Sequence, residues 1–171
     1  MIEIKRYNEL SSEIKQQLDF YIQAAFGKSR FVQKTKWAIP HWNIIHFSNR
    51  EIFSFYNVVE RSVRFDNLFL KVAGINSVIT PEKHSGKGFA THTLQQTKDF
   101  LFNDLNCDAG LLLCADSLVP FYERLNWRKV VCPVYVDQPD GKLLWPANTM
   151  ILFKEPEEVN PTEIDLNGLP W

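Results

Sequence analysis

Glycine is scarce, seven residues in 171, which excludes collagen-like and low-complexity architectures. Cysteine is scarcer. Cys107, Cys114 and Cys132 are odd in number, lie in apolar or strand-like surroundings, and show neither C-x-x-C spacing nor a nearby histidine pair. No zinc site and no disulfide framework is expected from them. Nowhere do 18 apolar residues follow one another, so no spanning helix is expected. An excess of either charge is missing as well. Nineteen Lys+Arg face 20 Asp+Glu, a formal net charge of −1, which argues against holding nucleic acid by bulk electrostatics. The start, Met1-Ile2-Glu3-Ile4-Lys5-Arg6, alternates apolar and charged residues where a signal peptide needs a continuous apolar run. A reduced, cytoplasmic domain with no membrane or nucleic-acid partner is the expectation.

What is present suits one compact domain. Hydrophobic residues make up 45% and aromatics 13%, enough for a core without staples. Ile2 and Ile4 open a short strand. Ser11 or Ser12 caps a helix carrying Ile14, Leu18, Ile22, Ala25 and Phe26 at helical spacing, with Gly27 past its end. Residues 28–40 are basic, aromatic and irregular, with Lys28, Arg30, Lys34 and Lys36 among Phe31 and Trp37. Strands are predicted over 43–47, 52–65 and 68–80, with turns at 48–50 and at Asp66-Asn67.

After Pro81 the pattern changes. A loop holding Gly86-Lys87-Gly88 opens a helix over 89–106. Ala109 to Ala115 is a continuous apolar run that fits a strand buried on both faces. A second helix spans 117–125, with Asn126 as its left-handed end. The last strands are 127–136 and 148–153, joined across Asp140-Gly141. From Glu155 to Trp171 the chain holds five acids and no Lys or Arg. This order predicts one α+β domain over 1–154 with a mixed, largely antiparallel sheet, and an acidic tail over 155–171 that folds back on it.

The stretch from Ile75 through Thr91 carries the strongest chemical signal. A strand ends, two glycines free the backbone, and a helix begins, so amide N–H groups converge with the positive end of the helix dipole. Such a place binds phosphates, with Lys83, Lys87 and His84 adding positive charge. An ordinary tight turn from strand to helix fits the same residues. No Walker loop and no dinucleotide fingerprint is present, since neither a Gly-Lys-Ser/Thr ending nor a third glycine in register occurs. Farther on, Phe121-Tyr122-Glu123-Arg124-Leu125-Asn126-Trp127 closes the second helix.

Together these two segments resemble the GNAT superfamily of acetyl-CoA-dependent N-acetyltransferases. Gly86-Lys87-Gly88 and Ala90 match the family's Arg/Gln-x-x-Gly-x-Gly/Ala loop, with Ser85 where Arg or Gln is typical. Residues 121–127 match the F-Y-E-K-L-G-F helix end, with Asn126 for Gly and Trp127 for Phe. The resemblance spans nearly the whole chain and implies a central splay in the sheet. It implies acetyl-CoA as co-substrate, no metal, and an acetyl group moved directly to a primary amine. Its pantetheine arm would lie along Val78, Ile79 and Thr80, and its pyrophosphate on Ser85, Gly86, Lys87, Gly88, Phe89, Ala90 and Thr91, with Ser117 close by. Tyr122 matches the tyrosine near the coenzyme sulfur, which implies a general acid: a phenol with a pKa near 10 can give a proton or hydrogen bond to a leaving thiolate whose pKa is about 8.5. A core tyrosine is the competing reading.

The sequence also resembles aminoglycoside 2'-N-acetyltransferases, through Ala24-Ala25-Phe26-Gly27, the Tyr122 helix, Asp140-Gly141 and the ending at Trp171. That likeness implies a small-molecule, polyamine-like acceptor, with Trp37, Asn76 and Trp171 at the acceptor side and Asp165 and the terminal carboxylate meeting its charge. No base is assigned, with Glu60, Glu82, His84 and Asp116 as candidates. Oligomeric state stays open, a homodimer included. A coenzyme-binding sensor, or an interaction module docking through residues 30–42, is the alternative to an enzyme.

Overall fold

Helix α1 (Ser12–Phe26) starts where the Ser11 hydroxyl turns back to accept from the Ile14 amide at 3.3 Å. That bond replaces a partner which the first turn of a helix lacks. The inward side chains Ile14, Leu18 and Ile22 share one apolar cluster with Ile45, Ile52, Phe55 and Ile79. The computed structural model describes residues 1–49, 51–155 and 159–171. Arg50 of the expected 48–50 turn, and Pro156, Glu157 and Glu158 of the acidic tail, lie outside the described residues.

Strands β1 (Ile2–Arg6), β2 (Trp42–Ser48), β3 (Glu51–Phe65) and β4 (Leu68–Ile79) pair antiparallel in succession. Asp66 takes a left-handed φ of 51° in the β3–β4 turn, a conformation short polar side chains tolerate. The chain crosses through α3 (Phe89–Gln96) and returns as β5 (Ala109–Cys114), parallel to β4. After α4 (Val119–Glu123), Asn126 is left-handed, with φ 66°. The remaining strands are β6 (Arg128–Lys129), β7 (Val134–Gln138), β8 (Gly141–Leu144), β9 (Asn148–Phe153) and β10 (Ile164–Asp165). The sheet runs β6-β9-β5-β4-β3-β10-β7-β8, and β2 with β1 flanks another stretch of β3. A mixed, largely antiparallel α+β sheet was expected, and this is one.

Side chains alternate across that sheet. Val58, Ala73 and Leu112 enter the core beneath α3 and α4, whereas Val59, Val72 and Leu111 enter a second core on the other face, with Trp145 and Trp171.

Local details depart from the expectation. The basic stretch is not wholly irregular: Ser29 caps a short helix, α2 (Arg30–Lys34), by accepting from the Val32 amide at 3.3 Å. The helix expected over 89–106 stops at Gln96 and resumes as a π turn over Phe100–Asp104. Thr97 explains the break, because its hydroxyl bonds back to the Thr93 carbonyl at 2.7 Å and also to the Tyr56 hydroxyl, competing with the regular ladder. The strand expected over 127–136 divides into β6 and β7 around Pro133, which has no amide to donate. Strand β7 pairs with β8 across Asp140-Gly141, while β9 pairs with β5 and β6, so the connection across Asp140-Gly141 holds a further strand and only Arg128–Lys129 of the span 127–136 meets 148–153.

Candidate active site

Strands β4 and β5 begin side by side and then part. Their rungs run from Val72↔Ala109 to Ile75↔Leu112. Beyond Leu112, β5 stays with β9 through Leu113↔Thr149 and Cys114↔Asn148. Strand β4 stays with β3, but one residue is inserted: Asn57 faces Asn76, and Phe55 faces Ile79. Ser77, with φ 50°, makes that bulge, and a bulge bends its strand away from its neighbour. The result is a wedge between the C-terminal ends of two parallel strands.

The glycine loop lies at one end of this wedge. Gly86 and Gly88 have φ of 73° and 79°, and a Cβ on either would meet nothing within 4 Å. Left-handed geometry at Gly88 turns the chain into α3, whose first satisfied amide is that of His92, bonded to the Gly88 carbonyl at 2.9 Å. The amides of Phe89, Ala90 and Thr91 therefore point outward with the dipole behind them. The loop is tied to the sheet through Ser54, whose hydroxyl reaches the Phe89 carbonyl at 3.2 Å and the Thr93 hydroxyl at 2.5 Å. Ser85 and Lys87 are exposed. Lys83 and His84 were expected to add charge to the loop, but both turn to Glu51, His84 at 2.9 Å, so Glu51 offsets them. Val78 packs beneath α3, Ile79 is buried against α1, and the buried Thr80 hydroxyl has no partner among the described residues.

At the other end a cleft of about 430 Å³ opens on the opposite face of the sheet. Ile22 and Phe26 of α1 and Phe31 of α2 line it, with Trp37, Trp145 and Trp171. Asn57, Asn76 and Ser77 form its floor, beside Cys114. Its described lining holds no Asp, Glu, Lys, Arg or His. Trp37, Asn76 and Trp171, singled out in the sequence for the acceptor side, thus border one space.

Trp171 is held from every side. Its indole lies against Gly74, where any Cβ would collide with it, and its Nε1 donates to the Leu111 carbonyl at 3.1 Å. The Arg61 guanidinium stands 5.2 Å over the ring and donates to the Leu169 carbonyl at 2.7 Å. The Ala38 amide bonds the Pro170 carbonyl at 2.8 Å, and the Asp137 amide bonds that of Gly168 at 2.8 Å. Strand β10 slots between β3 and β7.

No family model matches the chain, and no curated protein matches it by sequence. Solved structures do. Escherichia coli ElaA superposes with a TM-score of 0.60 at 18% identity, covering 88% of this chain and 99% of its own. An acyl-CoA N-acyltransferase from Pseudomonas aeruginosa gives 0.60 at 14%, covering 88% and 97%. A GNAT family acetyltransferase from Brucella melitensis, solved in complex with acetyl-CoA, gives 0.59 at 9%, covering 94% and 93%. The fold is that of the GNAT acetyltransferases.

Within this GNAT fold, Tyr122 sits in α4, directly under the β5 end of the wedge. It is buried beside Phe121 and Trp127. Burial pushes its phenol above the ordinary value, and the neighbouring Cys114 adds to this. Ser117 is exposed in the turn between β5 and α4. Three of the four candidate bases, Glu60, Asp116 and His84, are engaged elsewhere. Burial raises the Glu60 carboxyl, but hydrogen bonds from Trp42 Nε1 at 2.7 Å and from Lys71 outweigh it and hold the group below the usual range. Asp116 accepts from Asn148 at 2.6 Å, and His84 meets Glu51. Glu82 is exposed in the turn before the glycine loop. Asp165 does not face the cleft, contrary to the expectation that it would meet a cationic substrate. It pairs with Lys142 at 2.8 Å and Arg64 at 3.4 Å on the far side of β10. Phe31, Asn57 and Trp145 line the cleft without having been singled out in the sequence, and no local motif marks them.

Proposed function

We propose that this chain is an acetyl-CoA-dependent N-acetyltransferase, moving an acetyl group directly to the primary amine of a small molecule. One observation carries the reading: the wedge between β4 and β5 lies between an amide-lined loop on one side and an apolar cleft on the other. The residues fit the coenzyme. The Ser85 amide is held by the Glu82 carbonyl at 3.0 Å, but the amides from Gly86 to Thr91 can turn to a pyrophosphate, and the open space above Gly86 and Gly88 admits it closely. The β4 edge from Val78 to Thr80, freed from β5, offers backbone groups to a pantetheine arm, and the orphaned Thr80 hydroxyl gains a partner there. When bound, acetyl-CoA supplies the acyl carbon and a thiolate leaving group.

The chain's own residues do the rest. The cleft presents the amine to the wedge, which converts a bimolecular encounter into an oriented one. Tyr122, whose phenol is raised by burial, keeps its proton throughout the physiological range. It stabilises charge developing on sulfur by donating a hydrogen bond, while the transferring proton comes from the amine. A polycationic, aminoglycoside-like acceptor has less support than the reaction itself, because no Asp or Glu side chain lines the described cleft and the terminal carboxylate of Trp171 would have to match several ammonium groups alone.

Release of free CoA thiol from acetyl-CoA with mixed amines is the test. Amine-dependent release that saturates with acetyl-CoA is expected. Tight CoA binding by calorimetry without release in any amine mixture overturns the enzyme reading in favour of a sensor.

A further inference from the structure

The chain is almost neutral as a whole, yet its charge is unevenly spread. From Phe20 to Asn49 it carries no Asp or Glu, although it holds 20 of them in all. Within that span Lys28, Arg30, Lys34 and Lys36 crowd around the short helix α2. All four are exposed, and none forms an ion pair among the described residues. This stretch borders the mouth of the aromatic cleft. Phe26 and Phe31 line the cleft while remaining 37% and 43% exposed, whereas Trp145 and Trp171 of the same lining are 8% and 2% exposed. Phe26 and Phe31 therefore mark where the cleft opens to solvent, and Lys28 and Arg30 lie between them in the chain. Lys34 follows the lining residue Val32 by two positions, and Lys36 precedes the lining residue Trp37. With successive Cα atoms about 3.8 Å apart, each of these long side chains has that opening within reach.

Nearby acids do not balance these cations. Gln138, beside the β7–β8 turn, accepts from the Lys36 amide and donates to its carbonyl, both at 2.9 Å. The adjacent Asp137 carboxylate is paired with Lys142 at 2.7 Å, which leaves the exposed Asp140 at that turn. The Ala38–Pro170 hydrogen bond brings the terminal carboxylate of Trp171 to the same side. Four cations thus stand against these two anions. Asp116, the one acidic side chain within two positions of any lining residue, belongs to the β5 end and accepts from Asn148 at 2.6 Å. Like charges gathered around an apolar opening focus their field into it and concentrate ligands of the opposite sign. They repel a polycation for the same reason.

We infer that the acceptor is an amine bearing a carboxylate on an apolar body, an inference that rests on the acetyltransferase reading. The carboxylate meets the cations around α2 at the mouth, where charge-assisted hydrogen bonds fix it. The apolar body lies among the rings, and the amine leads toward the wedge. The carboxylate takes no part in the exchange of bonds. The lone pair of the neutral amine forms the bond to the acyl carbon, the carbon–sulfur bond breaks, and sulfur leaves with the electron pair. The proton lost by nitrogen ends on that thiolate, so the amine and acetyl-CoA give the N-acetyl product and CoA thiol with no other reactant.

A matched pair tests this in the wild-type protein: 4-(2-aminoethyl)benzoate and 4-(2-aminoethyl)benzamide, alike in shape and amine, differing in one charge across the ring. At about 0.01 M salt the benzoate is expected to have a kcat/KM at least about 10-fold higher, carried mainly by KM. The screening length shrinks from about 30 Å there to about 3 Å at 1 M, so the ratio should fall to about threefold or less. The double variant Arg30→Glu, Lys34→Glu changes two exposed positions and is expected to move the ratio at least about 10-fold toward the benzamide. Its CoA affinity by calorimetry should match the wild type. If that variant does not fold, the wild-type ratio and its response to salt still decide. Turnover of both amines with a ratio near one, or with a ratio that salt does not reduce, overturns the inference and leaves the acetyltransferase reading standing. Quenching of tryptophan fluorescence at lower concentrations of benzoate than of benzamide, without CoA release from any amine, retains the ligand class and overturns the acetyltransferase reading. A benzoate preferred in neither turnover nor quenching overturns the inference itself.

Discussion

The glycine loop and the aromatic cleft stand at two ends of one wedge and are built in opposite ways. The loop is a single stretch, 85–91, whose binding groups are backbone amides and whose two glycines supply left-handed turns. The cleft gathers side chains from Ile22 to Trp171, brought together by α1, α2, the sheet and the returning tail. A backbone site tolerates exchange of most side chains and fails on geometry. A side-chain site fails when any one wall is withdrawn. Substitutions that strike one and spare the other therefore separate coenzyme binding from acceptor binding.

Gly74→Ala strikes the cleft hardest. The added Cβ collides with the Trp171 indole, and the neighbouring strands leave it no way to move within the plane of the sheet. Expelling a buried aromatic costs about 3–5 kcal/mol, which lowers Tm by roughly 6–20 °C in a domain of this size. Calorimetry on the variant below its Tm should find CoA affinity unchanged, because the loop lies on the far side of the wedge. An unaltered Tm would mean that the tail does not hold Trp171 there in solution.

Tyr122→Phe acts where the two ends meet. The ring still packs against Phe121 and Trp127, and only the hydroxyl is lost. Turnover should fall about 10²-fold, near 2.7 kcal/mol of barrier, while affinity for CoA stays within about a factor of two. Turnover kept within that same factor would reduce Tyr122 to a core residue.

Gly88→Val strikes the loop alone. A β-branched residue at φ 79° costs about 1–2 kcal/mol, so CoA binding should weaken roughly 5- to 30-fold. Lys87→Ala removes an exposed ammonium that among the described residues reaches only the Lys83 carbonyl, at 3.3 Å, and should cost about threefold or less. Titration calorimetry of both variants gives the order, and a reversed order would make the site one of side-chain charge rather than backbone amides.

The same contrast explains what was legible beforehand. The glycine loop and the Tyr122 helix could be read because their determinants are consecutive: a turn, a cap and a buried strand leave a local pattern. The antiparallel run from β2 to β4 was legible for the same reason. Strand β8 was not, since Lys142, Leu143 and Leu144 are exposed on an outer strand and show no alternation. Strand β10 is two residues long and owes its existence to pairing with β3 and β7. Trp145 and Phe31 entered the cleft unannounced because packing between distant segments leaves no spacing to detect. Asp165 was misplaced because its sequence position shows its charge but not Lys142 and Arg64, which neutralise it.

That clasp gives the smallest and most specific prediction. Burial raises the Asp165 carboxyl, but hydrogen bonds from Lys142 and the Asn167 amide, helped by Arg64, outweigh this and hold it below the ordinary range. Lys142 and Arg64 are partly exposed, so solvent screens the pair and Asp165→Asn should cost only about 1 kcal/mol, or roughly 2–4 °C in Tm. The sign with pH follows from the lowered value. The folded state holds the carboxylate more readily than the unfolded chain, whose pKa is about 3.9, so the contribution is fully present above that value. It fades as pH falls through the lower folded pKa and is absent beneath it. Melting curves of wild type and Asp165→Asn should therefore differ by a constant amount between pH 5 and 8 and converge in stronger acid. A gap that widens on acidification would mean that the folded protein holds this carboxyl neutral, and that the tail is fixed by Trp171 and β10 without help from the ion pair.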